Sequence, residues 1–502
     1  MQGLGLTKSR IIAWKQCPKR LWLETHRRDL LDISDALQTT FEIGFEVNEV
    51  ARRFYPNGIL IKGELSAALL ATKSAIQTAP DLPLFEATFQ HDGLLVRSDL
   101  LLPKTHGYTM TTVKASASIK PNQLDDCAIE AWVIVQNGIS LQDIEIAHIN
   151  TAFVYQGNDD YQGLFNLKNV TQAVEAKIHL VTGWVTGVRT TLSNREPNIE
   201  PGSQCDEPFE CPFKKYCSKD SADVPEPFYS LDILYRMSSA KKDGLRANDI
   251  NDALRVPLSD LNDTQQWIQG VSQSGIAELR PYAKEILAKF GSPRYYLDFE
   301  TINLAVPRWP QTRPYTTQVP FQWSCHIETA DHTLTHEMFL DVSGEDPRRS
   351  CADQMLKVLG THGPIFVYFE SFEKSRIAEL ADLYPDLADA LLAINARIVD
   401  LLPITRANYY HPAMHGSWSI KAILPTIAPD LCYEQLAVSN GGDAQVAFRE
   451  ILHPKTSAIR KQELTDGLKE YCTLDTLAMV RLAWLLQGIP VNEIPSLADK
   501  KS

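Results

Sequence analysis

The chain has 502 residues, 44% hydrophobic and 22% charged, which is too long for one ordinary core and suits a globular protein of roughly two to four domains. The formal net charge of −13 argues against nucleic-acid binding over the whole surface and leaves only a local basic groove for it. No run of 18 apolar residues exists and the N-terminus lacks an apolar signal core, so a cytoplasmic protein without a membrane span is expected.

Residues 5–32 read as a helix, with Leu6, Ile11, Ile12, Trp14, Leu21 and Leu23 at roughly helical spacing. This segment is basic against the chain average, with seven Lys and Arg residues facing only Glu24 and Asp29; a solvated helix face accounts for it. A second amphipathic helix is expected over 41–55, ended by Pro56-Asn57-Gly58. Residues 84–118 turn strand-like, with a hairpin at His91-Asp92-Gly93. A helix over 123–137, a strand over 143–155 and a long helix over 170–195 complete a mixed α/β domain. Residues 196–226, rich in Pro, Cys and acids, suggest a compact metal-bound loop, and 227–290 a helical connector.

A new α/β unit opens at Arg294-Tyr295-Tyr296-Leu297-Asp298-Phe299-Glu300. Strands are expected there and at 317–327, 333–341 and 364–369, and helices at about 372–382, 386–395, 418–427 and 463–486. Asp298 and Glu300 stand two apart on a strand, so both carboxylates point to one face. Two acids at the end of an apolar strand are costly unless a cation sits between them. Glu373 opens a helix just after the apolar strand ending at Phe369. Tyr471 and Asp475 are four apart, on one face of a late helix.

This order of motifs resembles the tyrosine subgroup (DEDDy) of the DnaQ-like exonuclease superfamily. Its pattern is Asp-x-Glu on the first strand, an acid after a Phe at a middle helix, and Tyr-x-x-x-Asp late. The resemblance covers about 290–490, with Glu373 standing where the superfamily usually has Asp. It implies an RNase H-like fold and a two-metal-ion 3′–5′ exonuclease using Mg²⁺ or Mn²⁺. It further implies that Asp298 bridges both metals, that Glu300, Glu373 and Asp475 complete the shells, and that Tyr471 orients the attacking water. Asp400, after apolar Ile398-Val399, either supports the metal ligands from behind or caps a helix, and the cap is the favoured expectation. Tyr409, Tyr410, Trp418 and Lys421 could meet unpaired bases and a phosphate, or could simply pack in the core.

In the N-terminal half, Cys205, Cys211 and Cys217 form C-x5-C-x5-C, and Cys17 in WKQCPKRLW is the best fourth thiolate. Four thiolates suit a 4Fe–4S cluster, and zinc would accept them too. An early Cys and a late triplet bracketing an α/β domain resemble the RecB-type nucleases that carry an iron–sulfur cluster. The resemblance covers about 1–220 and implies a restriction-endonuclease-like PD-(D/E)XK core. Asp99 matches the first acid and Lys114 the lysine, but Thr112 stands where an acid is wanted. Glu130, Trp132 and Asn48 stand where the family has Gln, Tyr and an early His. This second nuclease site is therefore expected to be degenerate and its domain to clamp a strand.

The sequence thus predicts an α/β chain of three parts: a RecB-like domain over 1–220, a connector over 221–290 and a DnaQ-like exonuclease over 291–490. The whole resembles an uncharacterised bacterial family that joins the two domains. Its partner would be nucleic acid, single-stranded DNA foremost. A catalytically idle nucleic-acid-binding protein and an iron–sulfur sensor are the competing readings.

Overall fold

In the computed structural model, which describes residues 5–31, 35–220, 227–433 and 436–489, the chain is mixed α/β, with three sheets and 18 α-helices among those residues. It divides into two units, Met1–Val224 with Leu304–Thr317, and Pro225–Asn303 with Gln318–Ser502. Residues 227–290, expected as a separate connector, cluster with the second unit. Residue 32, residues 221–226 and residue 490, at the ends of expected segments, lie outside the described residues.

The first unit is built on a seven-stranded sheet. Its strands are β1 (Leu6–Thr7), β2 (Ile59–Leu60), β3 (Leu84–His91), β4 (Leu94–Lys104), β5 (Gly107–Lys114), β6 (Leu141–Ile149) and β7 (Phe165–Asn169). They run in the order β2-β3-β4-β5-β6-β7, with β1 added parallel to β4. The β3–β4 hairpin turns through Asp92 and Gly93, with φ of 48° and 74°. Both residues are left-handed, which matches the twist of a two-residue hairpin. Strands β3, β4 and β5 are antiparallel, and β5 and β6 are parallel.

The helices of this unit are α1 (Lys8–Gln16), α2 (Pro18–His26), α3 (Asp35–Arg53), α4 (Leu65–Thr78), α5 (Pro121–Gln136), α6 (Thr171–Ile178), α7 (Val181–Ser193) and α8 (Lys214–Asp220). Helix α5 is the crossover from β5 to β6 and is buried almost continuously from Cys127 to Ile134. The single helix expected over 5–32 is two helices, because Pro18 cannot continue α1 and instead opens α2. The long helix expected over 170–195 is likewise broken, between α6 and α7.

The second unit contains β8 (Glu278–Leu279), β9 (Arg294–Ile302), β10 (Val319–Glu328), β11 (Leu334–Leu340), β12 (Ile365–Val367), β13 (Ile398–Asp400) and β14 (Tyr409–Tyr410). Its main sheet has the order β11-β10-β9-β12-β13. Strand β10 is antiparallel to both neighbours, while β9, β12 and β13 are parallel. The helices of this unit are α9 (Ser239–Ala247), α10 (Asp263–Ser274), α11 (Tyr282–Leu287), α12 (Arg348–Leu359), α13 (Glu370–Leu383), α14 (Ala388–Asn395), α15 (Leu401–Asn408), α16 (Ile420–Ile427), α17 (Gly441–Leu452) and α18 (Ala458–Leu486).

The pleat of β9 sorts its side chains. Tyr295, Leu297 and Phe299 join Met355, Ile377 and Leu380 in the core under α12 and α13. The even-numbered residues, Asp298 and Glu300 among them, project from the other face. Helix α18 packs on β9 and β10 from that side, fastened by Thr476, whose Oγ1 lies 2.8 Å from both Ser324 Oγ and His326 Nδ1.

Candidate metal centre

Asp298 and Glu300 meet Tyr471 and Asp475 along one cavity of about 330 Å³ in the second unit, with Lys421 and Gly441 on its wall. Strand β9 supplies the first two and one turn of α18 the next two. Glu373 comes from the first turn of α13 and is 1% exposed, and its Oε2 has no hydrogen-bond partner among the described residues. Asp400 positions that turn. Its carboxylate accepts from the backbone N–H of Phe369 at 3.0 Å and of Glu370 at 3.1 Å, and from Leu402 N at 2.8 Å. It therefore caps α15, as expected, and also pins Phe369 at φ 84°, a left-handed conformation costly for a bulky residue.

The electrostatics are those of crowded, desolvated carboxyls. Burial, then the charge of Asp475, pushes Asp298 well above the usual carboxylate range. Glu300 is raised by burial, Asp298 and Asp475 together. Glu373 is pushed up to about 9 by burial and by Asp298. Asp475 rises only to about 6, because hydroxyls of Tyr433 and Tyr471 and the charge of Lys421 oppose its burial. Lys421 Nζ lies 4.9 Å from the Tyr471 ring centroid and 5.2 Å from that of Tyr433, and donates to Ser439 O at 2.6 Å.

Two residues near the acids were missed by sequence reasoning. Tyr433, from the loop after α16, donates to Asp475 Oδ1 at 2.5 Å. Cys472 offers a sulfur that lies, with one oxygen each from Asp298 and Glu300, in a set whose members are all within 4.8 Å of one another. The signal for Cys472 was its place between Tyr471 and Asp475; Tyr433 had none. Tyr409, Tyr410 and Trp418 are buried, the Trp418 indole donating to Tyr409 O at 2.8 Å, so they pack in the core.

In the first unit, Asp99 lies on β4, Thr112 and Lys114 on β5. Asp99 accepts from Val113 N at 2.8 Å, and Lys114 pairs with Asp126 at 2.6 Å. Glu130 of α5, fully buried, reaches the Thr112 hydroxyl at 3.3 Å and pairs with Lys8 of α1. Burial would lower the Lys8 pKa, but Glu130, Asp126 and Asp99 overcome it and raise it above the usual lysine range. An ammonium thus stands among three carboxylates.

Cys17, Cys205, Cys211 and Cys217 line one small cavity of the same unit, with Lys19 and Arg20. Gln16 ties α1 to the cysteine loop by donating to Gln204 O at 2.8 Å and Phe209 O at 2.7 Å. Burial raises the Cys211 and Cys217 thiols.

Residues 295–419 match the family described as Domain of unknown function (DUF2779). That stretch holds Asp298, Glu300 and Glu373 and ends before Tyr471 and Asp475. The chain is similar to "Uncharacterized protein UU173" of Ureaplasma parvum, 23% identical over 235 residues, 41% of this chain and 33% of the relative. It is also similar to "Uncharacterized protein MG366 homolog" of Mycoplasma pneumoniae, 24% identical over 236 residues, 42% of this chain and 34% of the relative. The matched stretch thus spans about a third of each relative's length. No solved structure matches.

Proposed function

We propose that the second unit is an RNase H-like, DnaQ-type exonuclease domain that hydrolyses nucleic acid from 3′ ends with two divalent ions. The observation that carries this reading is the convergence of Asp298, Glu300, Tyr471 and Asp475 on one cavity. The sheet supports it: five strands in the order third, second, first, fourth, fifth, with only the second reversed.

The residues fit the ions. Their oxygens suit Mg²⁺ or Mn²⁺, and the buried, unpartnered Oε2 of Glu373 beside Asp298 calls for a cation. Asp298, Glu300, Glu373 and Asp475 would hold them. When bound, the ions activate a water and stabilise the leaving oxygen of the phosphodiester. The chain's own residues set the stage. Tyr433 and Tyr471 hold Asp475 by hydrogen bonds and favour its ionised form. In this reading the Tyr471 hydroxyl orients a water, and Lys421 offsets carboxylate charge when an anionic substrate enters. The open cavity suits single strands or frayed ends.

The first unit is a restriction-endonuclease-like domain in this reading, with the β3-β4-β5 meander, the α5 crossover and β6 as its core. It carries a metal centre at Cys17, Cys205, Cys211 and Cys217, a 4Fe–4S cluster with zinc as the alternative. The Lys8 ammonium among Asp99, Asp126 and Glu130 favours a clamp over a second catalytic centre. Digestion of end-labelled single- and double-stranded DNA and RNA with Mg²⁺ or Mn²⁺ tests the whole. A metal-dependent ladder shortened from 3′ ends supports it, and intact substrates under all conditions return the protein to a binding role.

A further inference from the structure

Cys472 is fully buried on α18, one residue past Tyr471 and three before Asp475. A cysteine in an apolar helix is ordinarily a small core residue. This one is placed otherwise: its sulfur and one oxygen each from Asp298 and Glu300 all lie within 4.8 Å of one another, so one ion can reach all three. A second acid nearby, Glu373, feels the charge of Asp298 and has a buried Oε2 with no hydrogen-bond partner among the described residues.

We propose that Cys472 is a metal-ligating residue that gives the centre a second, thiophilic mode, in which Zn²⁺, Cd²⁺ or Co²⁺ binds through Asp298, Glu300 and the Cys472 sulfur and shuts out the hydrolytic ions. The proposal rests on the reading of Asp298 and Glu300 as metal ligands. Carboxylate oxygens alone suit Mg²⁺ and Mn²⁺; a thiolate tilts the choice toward zinc-like ions. On binding, the S–H bond breaks, a sulfur–metal bond forms and the proton leaves to buffer, so metal oxidation state is unchanged. Zinc at modest excess would then inhibit by holding Asp298 and Glu300.

The test uses the full chain, wild type and Cys472→Ser, titrated with Co²⁺ and followed by absorption. The four N-terminal cysteines give both proteins the same background, so the difference spectrum isolates Cys472. A thiolate-to-cobalt charge-transfer band present in the wild type and missing from Cys472→Ser is expected, and the ratio of Zn²⁺ to Mn²⁺ affinity should fall about tenfold or more. Identical spectra and an unchanged ratio overturn the proposal. Cys472→Ala, checked for an unchanged fold by circular dichroism, should reproduce the serine result; a retained band there overturns it equally. Mn²⁺ binding is measured in parallel on Asp298→Ala. Equal Mn²⁺ affinity in that variant and the wild type would sink the underlying metal-centre reading, an outcome distinct from loss of the cobalt band alone.

Discussion

The Tyr433 hydroxyl donates to Asp475 Oδ1 at 2.5 Å, linking a loop after α16 to the last acid of the candidate centre. A hydrogen bond to a charged acceptor favours ionisation. Tyr433→Phe should therefore raise the Asp475 pKa above about 6. A bond worth about 1.5–3 kcal/mol corresponds to roughly one to two pKa units. The acid limb of the kcat/KM profile should move up by that amount, with activity recovering toward alkaline pH. An unmoved limb would mean that Tyr433 packs and does no more.

Tyr471→Phe keeps the ring and removes only the hydroxyl. If that hydroxyl orients the attacking water, kcat should fall roughly ten- to a thousandfold with KM little changed. Melting temperature should barely move. A fully active but less stable variant would assign Tyr471 to packing.

Metal binding should be coupled to protons. Glu373, near 9, and Asp475, near 6, have raised folded pKa values, as do Asp298 and Glu300. Such groups stabilise the apo fold below the ordinary carboxylate range and lose that contribution as pH rises through the folded values. His326 runs the other way. Burial lowers it to about 3, so its contribution is present above 6.5 and lost as pH falls. Apo-protein melting should thus peak at mildly acidic pH and decline toward pH 9, while Mn²⁺ should rescue more at higher pH. Calorimetry in buffers of different ionisation enthalpy should show protons released on Mn²⁺ binding near neutrality. Binding without proton release would contradict the shared site.

Lys8→Met leaves Glu130 without its ammonium, while Asp126 keeps Lys114 at 2.6 Å. Breaking a buried pair by removing one partner costs about 3–5 kcal/mol, and the Lys8 side chain is 27% exposed while Glu130 is fully buried. Denaturant unfolding should show a loss of that order, partly restored by adding Glu130→Gln. Unchanged stability would remove Lys8 as the occupant of the cluster.

Purified protein should carry one metal centre at the four cysteines. Iron and sulfide with a brown colour identify the cluster, and colourless protein with one zinc identifies the alternative. Cys17→Ser should lower the metal content of either. Full occupancy in that variant would exclude Cys17 as a ligand.

The legible parts of this molecule were those written in local spacing. Asp298 and Glu300 share a face because a strand repeats every two residues, and Tyr471 and Asp475 because a helix nearly repeats every four. The hairpin at Asp92-Gly93 declared itself by its turn residues. Pro18 marked the break between α1 and α2, but a run of apolar residues at helical spacing masked it. Helix α17 was not expected because it opens on Gly441-Gly442, residues that read as a loop; Asn440 caps it by accepting from Asp443 N at 3.0 Å. Tyr433 on Asp475 and Lys8 on Glu130 join residues 42 and 122 positions apart. No local pattern encodes such pairs.

The most direct measurement of the central claim is the degradation of a 5′-labelled single-stranded oligonucleotide by the full chain and by Asp298→Ala, with Mn²⁺ or with EDTA. The wild type should produce a ladder of products shortened from the 3′ end that EDTA abolishes, and Asp298→Ala should produce essentially none while keeping its fold. Cleavage by Asp298→Ala at the wild-type rate, or its disappearance only on Asp99→Ala, would contradict a catalytic centre built on Asp298.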